Sequence, residues 1–351
     1  MHGRAVLYAL ASAALFGVST PAAKVLLGEI HPAVLAGLLY CGAGVGVGLL
    51  RRFASHVLGS PSAPQVPLQR KDVAWLAAAI AAGGVVGPLL LMFGLARTDA
   101  ATASLLLALE GAATAVIAWF VFRENVDRRV ALGMGCLLAG AVVLSWSGTP
   151  SIQNVQGPLA ILGACVAWGL DNNLTRKASL ADPLQITELK GVVAGPVNIL
   201  IGAWAGASIP WSPALLLAAV TGFFGYGVSL ALYVVALRHL GAARTGAYFS
   251  TAPFLGAAVA VVALGENVTW GLLAAGALMG LGVWLHVTER HEHDHVHEAM
   301  VHAHPHVHDE HHQHEHGPDD PAGEPHTHRH RHDRLEHAHP HTPDMHHAHR
   351  H

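Results

Sequence analysis

The stretch Leu95 to Val126 occurs twice. Displaced by 142 positions, LARTDAATASLLLALEGAATAVIAWFVFRENV lies without a gap over LRHLGAARTGAYFSTAPFLGAAVAVVALGENV at Leu237 to Val268. Identities at Leu95/Leu237, Ala100/Ala242, Ala101/Ala243, Ala115/Ala257 and Ala118/Ala260 end in the shared Glu-Asn-Val of Glu124/Glu266, Asn125/Asn267 and Val126/Val268. Alanine matches carry little weight in an alanine-rich chain, whereas a repeated Glu-Asn-Val closing an apolar run carries more. Upstream, Phe16-Gly17 followed by Lys24 echoes Trp168-Gly169 followed by Arg176, and His31-Pro32 echoes Asp182-Pro183. The chain therefore reads as a duplicated unit whose halves meet near residue 150.

Charge is placed unevenly along this duplication. Residues 1–288 hold only 10 acidic and 15 basic side chains among long apolar runs, too few for a soluble protein of that size. Ten apolar runs are long enough to cross a hydrocarbon core of ~30 Å, at about 5–27, 33–50, 73–95, 101–122, 130–147, 157–175, 184–206, 214–237, 245–264 and 270–287. The N-terminal run is not a cleaved signal, because it carries Lys24 and leads directly into further spans. Cys41, Cys136 and Cys165 all fall within apolar runs and suggest no disulfide framework.

Orientation follows from the Lys/Arg bias. With the N-terminus inside, the cytoplasmic loops collect Arg51, Arg52, Arg70, Lys71, Arg123, Arg128, Arg129, Arg176, Lys177, Arg238 and Arg244, and the opposite loops hold little beyond Lys24 and Arg97. Five spans per repeat is an odd number, so the halves take opposite orientations, and Glu124 and Glu266 face opposite sides. The expected fold is an all-α membrane protein of ten transmembrane helices in a 5+5 inverted repeat, the plan of a secondary transporter. Its parts are a first repeat at 1–149, a second at 150–288 and a disordered His-rich cytoplasmic tail at 289–351. Both termini are expected in the cytoplasm, beneath the inner (plasma) membrane. Gly83-Gly84 with Pro88, and Gly222, Gly225 and Gly227 at the matching place in the second half, mark helices expected to bend.

A charge at the middle of a membrane helix costs about 2.5–3.5 kcal/mol on insertion scales, so intramembrane charge marks function. Glu110, central in LLLALEGAATAV, is the clearest candidate for a substrate or coupling-ion site; its counterpart is Ala252, beside Pro253. Asp171-Asn172-Asn173 and Glu188 with Lys190 form a second group on adjacent helices, where Asp171 or Glu188 can pair with Lys190 as a lock or as a gate. Asn198 and Tyr226 are weaker candidates. Glu124 and Glu266 precede new helices and read as structural, since a carboxylate is favourable there. Lys24 and Arg176 read as side chains snorkelling to the interface.

Residues 291–351 hold 23 of the 28 histidines. The alternating ligands His291, His293, His295, His297, His302, His304, His306, His308, His311, His312, His314 and His316 suit zinc, nickel, cobalt or copper. His308 to His312 also shows the His-x-x-His-His spacing of membrane di-iron oxidases, but such boxes sit at separate helix ends, and one continuous run holds these.

On Phe16-Gly17 with Lys24, Trp168-Gly169 with Arg176, the endings at Glu124 and Glu266, and Pro253, the region 5–287 resembles the EamA-type branch of the drug/metabolite transporter superfamily. The resemblance implies alternating access through a cavity between the halves, often for export. The sequence departs from the pattern at Glu110-Gly111, where the fourth helix usually has a proline. It also lacks the first-helix glutamate of the small multidrug-resistance relatives, so Glu110 would have to serve in coupling. The expected activity is secondary transport of a metabolite or a divalent metal cation. The alternative is a membrane-tethered metal buffer or sensor acting through the tail. No nucleophile–base pair appears within the spans, so an enzyme is not expected. The expected partners are the lipid bilayer and the solute, not nucleic acid; a homodimer is possible, and no cofactor is required.

Overall fold

The computed structural model describes residues 2–58, 70–121, 128–145, 152–177, 183–240 and 242–288 of one compact unit, Met1–Thr288. Of a second unit, Glu289–His351, it describes 294–297, 300–306, 326–332 and 335–338.

Among its described residues, every regular element of the first unit is a helix. Its first half comprises α1 (His2–Leu26), α2 (Pro32–Leu58), α3 (Arg70–Ala79), α4 (Gly87–Ala96), α5 (Ala100–Leu106), α6 (Leu109–Phe120) and α7 (Arg128–Ser145). The second half comprises α8 (Ile152–Lys177), α9 (Pro183–Trp204), α10 (Pro213–Gly222), α11 (Ser229–Leu240), α12 (Ala242–Phe249), α13 (Ala252–Leu264) and α14 (Trp270–Val287). Between α3 and α4 the helix continues in π geometry over Ile80–Val86, and between α10 and α11 over Phe223–Val228. These are the two glycine clusters from which bending was expected. A π turn widens the ladder and releases carbonyls, which a bilayer leaves unsatisfied unless side chains reach them.

Among the described residues, seven stretches are long and apolar enough to cross a membrane, against the ten expected: Arg4–Leu26, Pro32–Arg52, Val73–Ala96, Ala100–Phe120, Arg128–Ser145, Leu184–Trp204 and Pro213–Tyr233. The shortfall has identifiable causes. Helix α8 is diluted by Asp171, Asn172 and Asn173, and the ninth run is broken at Ser250-Thr251 into α12 and the short α13; the tenth run, α14, forms one apolar helix of 18 residues, Trp270–Val287.

Packing repeats under exchange of the halves. Helix α8 packs on α4 and α6, as α1 packs on α11 and α13, and α2 pairs with α9 and α7 with α14. Backbones meet closely where glycines face one another. A Cβ on Gly44 would lie 2.7 Å from Val192 N, and one on Gly191 would lie 2.5 Å from Gly44 Cα. The α2–α9 seam therefore depends on residues without side chains.

Two polar side chains hold the turn between α4 and α5. The carboxylate of Glu266 accepts from the amides of Ala100 and Ala101, each at 2.7 Å, and so caps α5 from the other half of the chain. Lys24 donates to Leu95 O at 2.7 Å and Thr98 O at 2.9 Å, carbonyls at the end of α4. This corrects the expectation of snorkelling: carbonyls at a helix end offer the ammonium nearer acceptors than the interface does. Glu124 lies outside the described residues.

In the tail, the described segments form two antiparallel pairs: β1 (Asp294–His297) with β4 (Leu335–Ala338), and β2 (Met300–His306) with β3 (His326–His332). Histidine at every second position has the strand period of two, which permits such pairing where composition alone argues for disorder.

Candidate functional site

The site is built around the first π stretch. Tyr40 Oη (2.7 Å) and Trp168 Nε1 (2.9 Å) both donate to Gly83 O, and Asn198 Nδ2 donates to Gly84 O at 2.9 Å. Three helices, α2, α8 and α9, thus supply the donors that a widened helix requires in a medium without water. Gly83 is needed for a second reason. Asp171 Oδ2 occupies the space that a side chain there would fill.

Asp171 is buried, at 6% relative exposure. Lys190 donates to its Oδ1 at 2.5 Å and its Oδ2 at 2.8 Å; Thr175 Oγ1 donates to Oδ1 at 2.8 Å, and Lys190 also reaches Thr175 Oγ1 at 3.1 Å. Of the two acids that sequence places near Lys190, Asp171 is its partner. Glu188 turns to the other half, accepting from Arg51 Nη1 at 2.5 Å and Arg52 Nη2 at 3.4 Å.

One residue along α8, the amide of Asn172 donates to Glu110 Oε1 at 3.0 Å and to Thr114 Oγ1 at 3.2 Å. Asn173 Nδ2 fastens the same seam through Thr114 O at 3.1 Å and Gly169 O at 2.8 Å. Thr114 Oγ1 in turn donates to Glu110 O. Glu110 stands in the first turn of α6, just beyond the turn at Leu107-Ala108 that separates α5 from α6. The helix N-terminus favours negative charge there. The carboxylate is half-buried, and the adjoining Gly111 faces open space, with nothing within 4 Å of the position a Cβ would take. No cation stands within ion-pairing distance of Glu110 among the described residues, although Asp171 and Lys190 are within electrostatic reach.

Beside these charges runs a chain of aromatic rings from both halves. Tyr40 and Tyr226 are 6.0 Å apart, Tyr226 meets Phe16 edge-on at 5.7 Å, Phe16 lies 5.4 Å from Phe249, and Phe249 5.1 Å from Tyr233. Sequence reasoning passed over Tyr40, Thr114, Phe249 and Tyr233. Thr114 had a usable signal, being four residues after Glu110 on the same helix face.

A cavity of about 830 Å³ lies elsewhere, between the start of α2 and the end of α4, and none of the expected site residues lines it. In the tail, His291, His293, His308, His311, His312, His314 and His316 lie outside the described residues. His295 and His297 fall on β1, and His302, His304 and His306 on β2. The strand register sets His302, His304 and His306 opposite His330, His328 and His326.

Comparison with known proteins agrees with this architecture. A model of the EamA-like transporter family matches residues 3–146 and again 155–288, one match per half. An uncharacterized transporter of Methanothermobacter thermautotrophicus is 28% identical over 281 residues, covering 77% of this chain and 82% of the relative. A solved crystal structure shares the fold with a TM-score of 0.57 at 20% identity, over 81% of this chain and 95% of that one.

Proposed function

We propose that this chain, which belongs to the EamA-like transporter family, exports a small solute by alternating access between two inverted five-helix halves, with Glu110 at the solute or coupling-ion site. The family and the apolar helices point to a multi-pass membrane transporter rather than an enzyme. The observation that carries the finer reading is the recurrence of irregular helix. Displaced by 142 residues, the π stretch Ile80–Val86 falls on 222–228, where the second is Phe223–Val228. The same displacement sets the turn at Leu107-Ala108 beside the break at Ser250-Thr251. Paired interruptions at matched depths are how transporters built from inverted repeats bring backbone and side chains to a central site.

The two copies differ in chemistry. Around the first π stretch stand Asp171, Lys190 and, beyond Asn172, Glu110. Around the second stand the hydroxyls of Ser12, Ser19 and Ser229 with the rings of Phe16 and Tyr226. A solute crossing between them leaves a charged wall for an aromatic one, and Glu110, without an ionic partner, is the group free to engage a cation or a proton. The cargo is then a metabolite bearing positive charge, or a divalent metal, or a solute coupled to such an ion. The cytoplasmic tail, with 23 of the 28 histidines, binds transition metal.

Growth of a deletion strain across a panel of metals and metabolites, with intracellular contents measured, tests this. Strains carrying the full chain or a truncation after Arg290 are compared. The full chain is expected to lower the intracellular level of one solute class, and truncation to matter only at high metal. No change in any solute on restoring the full chain would contradict the proposal.

A further inference from the structure

The cavity apart from the Glu110 site has a chemistry of its own. It is walled by Leu89, Leu90, Phe93 and Ala96 of α4, with His31 and Arg97 at one end. Pro32 begins one apolar span and Ala96 ends another, so the adjoining His31 and Arg97 stand at the same membrane boundary. Leu89 lies eight residues before Arg97, roughly 12 Å along the helix, which remains within one leaflet of a ~30 Å core. The crevice is therefore polar where headgroups lie and apolar where acyl chains lie.

The polar end is prepared for an anion. The Arg97 guanidinium carbon sits 3.5 Å from the centroid of the Phe93 ring, and Nη1 donates to Phe93 O at 3.1 Å. This fixes the group in place and leaves its remaining N–H donors without a protein acceptor among the described residues. His31 Nδ1 accepts from Ala33 N at 3.3 Å, which places the proton of the neutral ring on Nε2, as a further donor. Asp99 and Glu29, the acids nearest in sequence, do not line the crevice.

We infer that this crevice holds one anionic phospholipid, its phosphodiester on Arg97 and His31 and an acyl chain along Leu89, Leu90 and Phe93. The charge selects a phosphate, and the apolar wall selects a lipid over a soluble phosphate.

Native mass spectrometry of the full-length protein in detergent tests the assignment with phosphatidylglycerol, diacylglycerol and glycerol 3-phosphate. The wild-type protein is expected to retain one phosphatidylglycerol in preference to diacylglycerol, and glycerol 3-phosphate should not displace it. Arg97→Gln should weaken retention about fivefold, the contribution of one basic side chain at an anionic surface. Ala96→Trp, which fills the apolar wall and keeps the charge, should weaken it as well. Equal retention by the wild type and both variants would overturn the site. Displacement by glycerol 3-phosphate alone would overturn the lipid and leave a soluble-anion site.

Discussion

Glu110→Gln is expected to insert and fold normally and to lose at least about tenfold in transport rate, equivalent to some 1.4 kcal/mol of barrier. The substitution keeps the side chain's size, and a glutamine Oε1 can still accept from Asn172 as the carboxylate does now. Only the charge is removed. Because no cation pairs with Glu110 among the described residues, losing that charge leaves no protein cation unpaired, and stability should change little. The rate is measured as efflux of the solute that the growth panel identifies, with detergent-extracted protein run on a sizing column to confirm folding. A variant that folds and transports at the wild-type rate across pH would make Glu110 a structural carboxylate.

Asp171→Asn should do the reverse: a large loss of stability that is recoverable. Lys190 has a side chain 17% exposed, and its partner Asp171 9%. Removing one member of such a pair strands the other, at a cost of about 3–5 kcal/mol. Thr175 alone cannot neutralise the ammonium. Replacing Lys190 by Met in the same protein removes the stranded charge, and the double variant should regain most of the lost thermal stability. Both residues belong to the second half, so the alternating access proposed above does not require the pair to break. We therefore expect the double variant to transport, whereas a gate would not survive loss of both charges. Thermal unfolding followed by sizing-column recovery gives the first result and efflux the second. A single variant as stable as wild type would contradict the stranded-charge account.

Much of this arrangement was legible in the sequence, and the part that was not has a common cause. Hydropathy and repetition are local signals, and they located the apolar runs, the duplicated Glu-Asn-Val and the glycine clusters that become π helix. Intramembrane charge singled out Glu110, Asp171 and Lys190 because a bilayer penalises them. Partner choice was not legible. Glu188 and Asp171 were equal candidates for Lys190, and only the placement of α2 shows Arg51 drawing Glu188 away. Lys24 was read as snorkelling because its acceptors, Leu95 O and Thr98 O, lie more than seventy residues downstream. Tyr40 and Trp168 gave no sign that both would serve Gly83 O, since a carbonyl released by a π turn has no sequence signature of its own. The shape of the ninth run was not legible either, because an apolar run does not show that Ser250-Thr251 interrupts it and leaves α12 and α13 as separate helices.

The central claim is that the two halves are inverted, and Asp99 and Gly241 test it directly because they are equivalent positions 142 residues apart. The native Cys41, Cys136 and Cys165 are first replaced, and Asp99→Cys and Gly241→Cys are introduced singly. A membrane-impermeant maleimide is then applied to intact cells and to cells made permeable. Inversion predicts that Asp99→Cys labels in intact cells and Gly241→Cys only after permeabilisation. Labelling of both from the same side would contradict it.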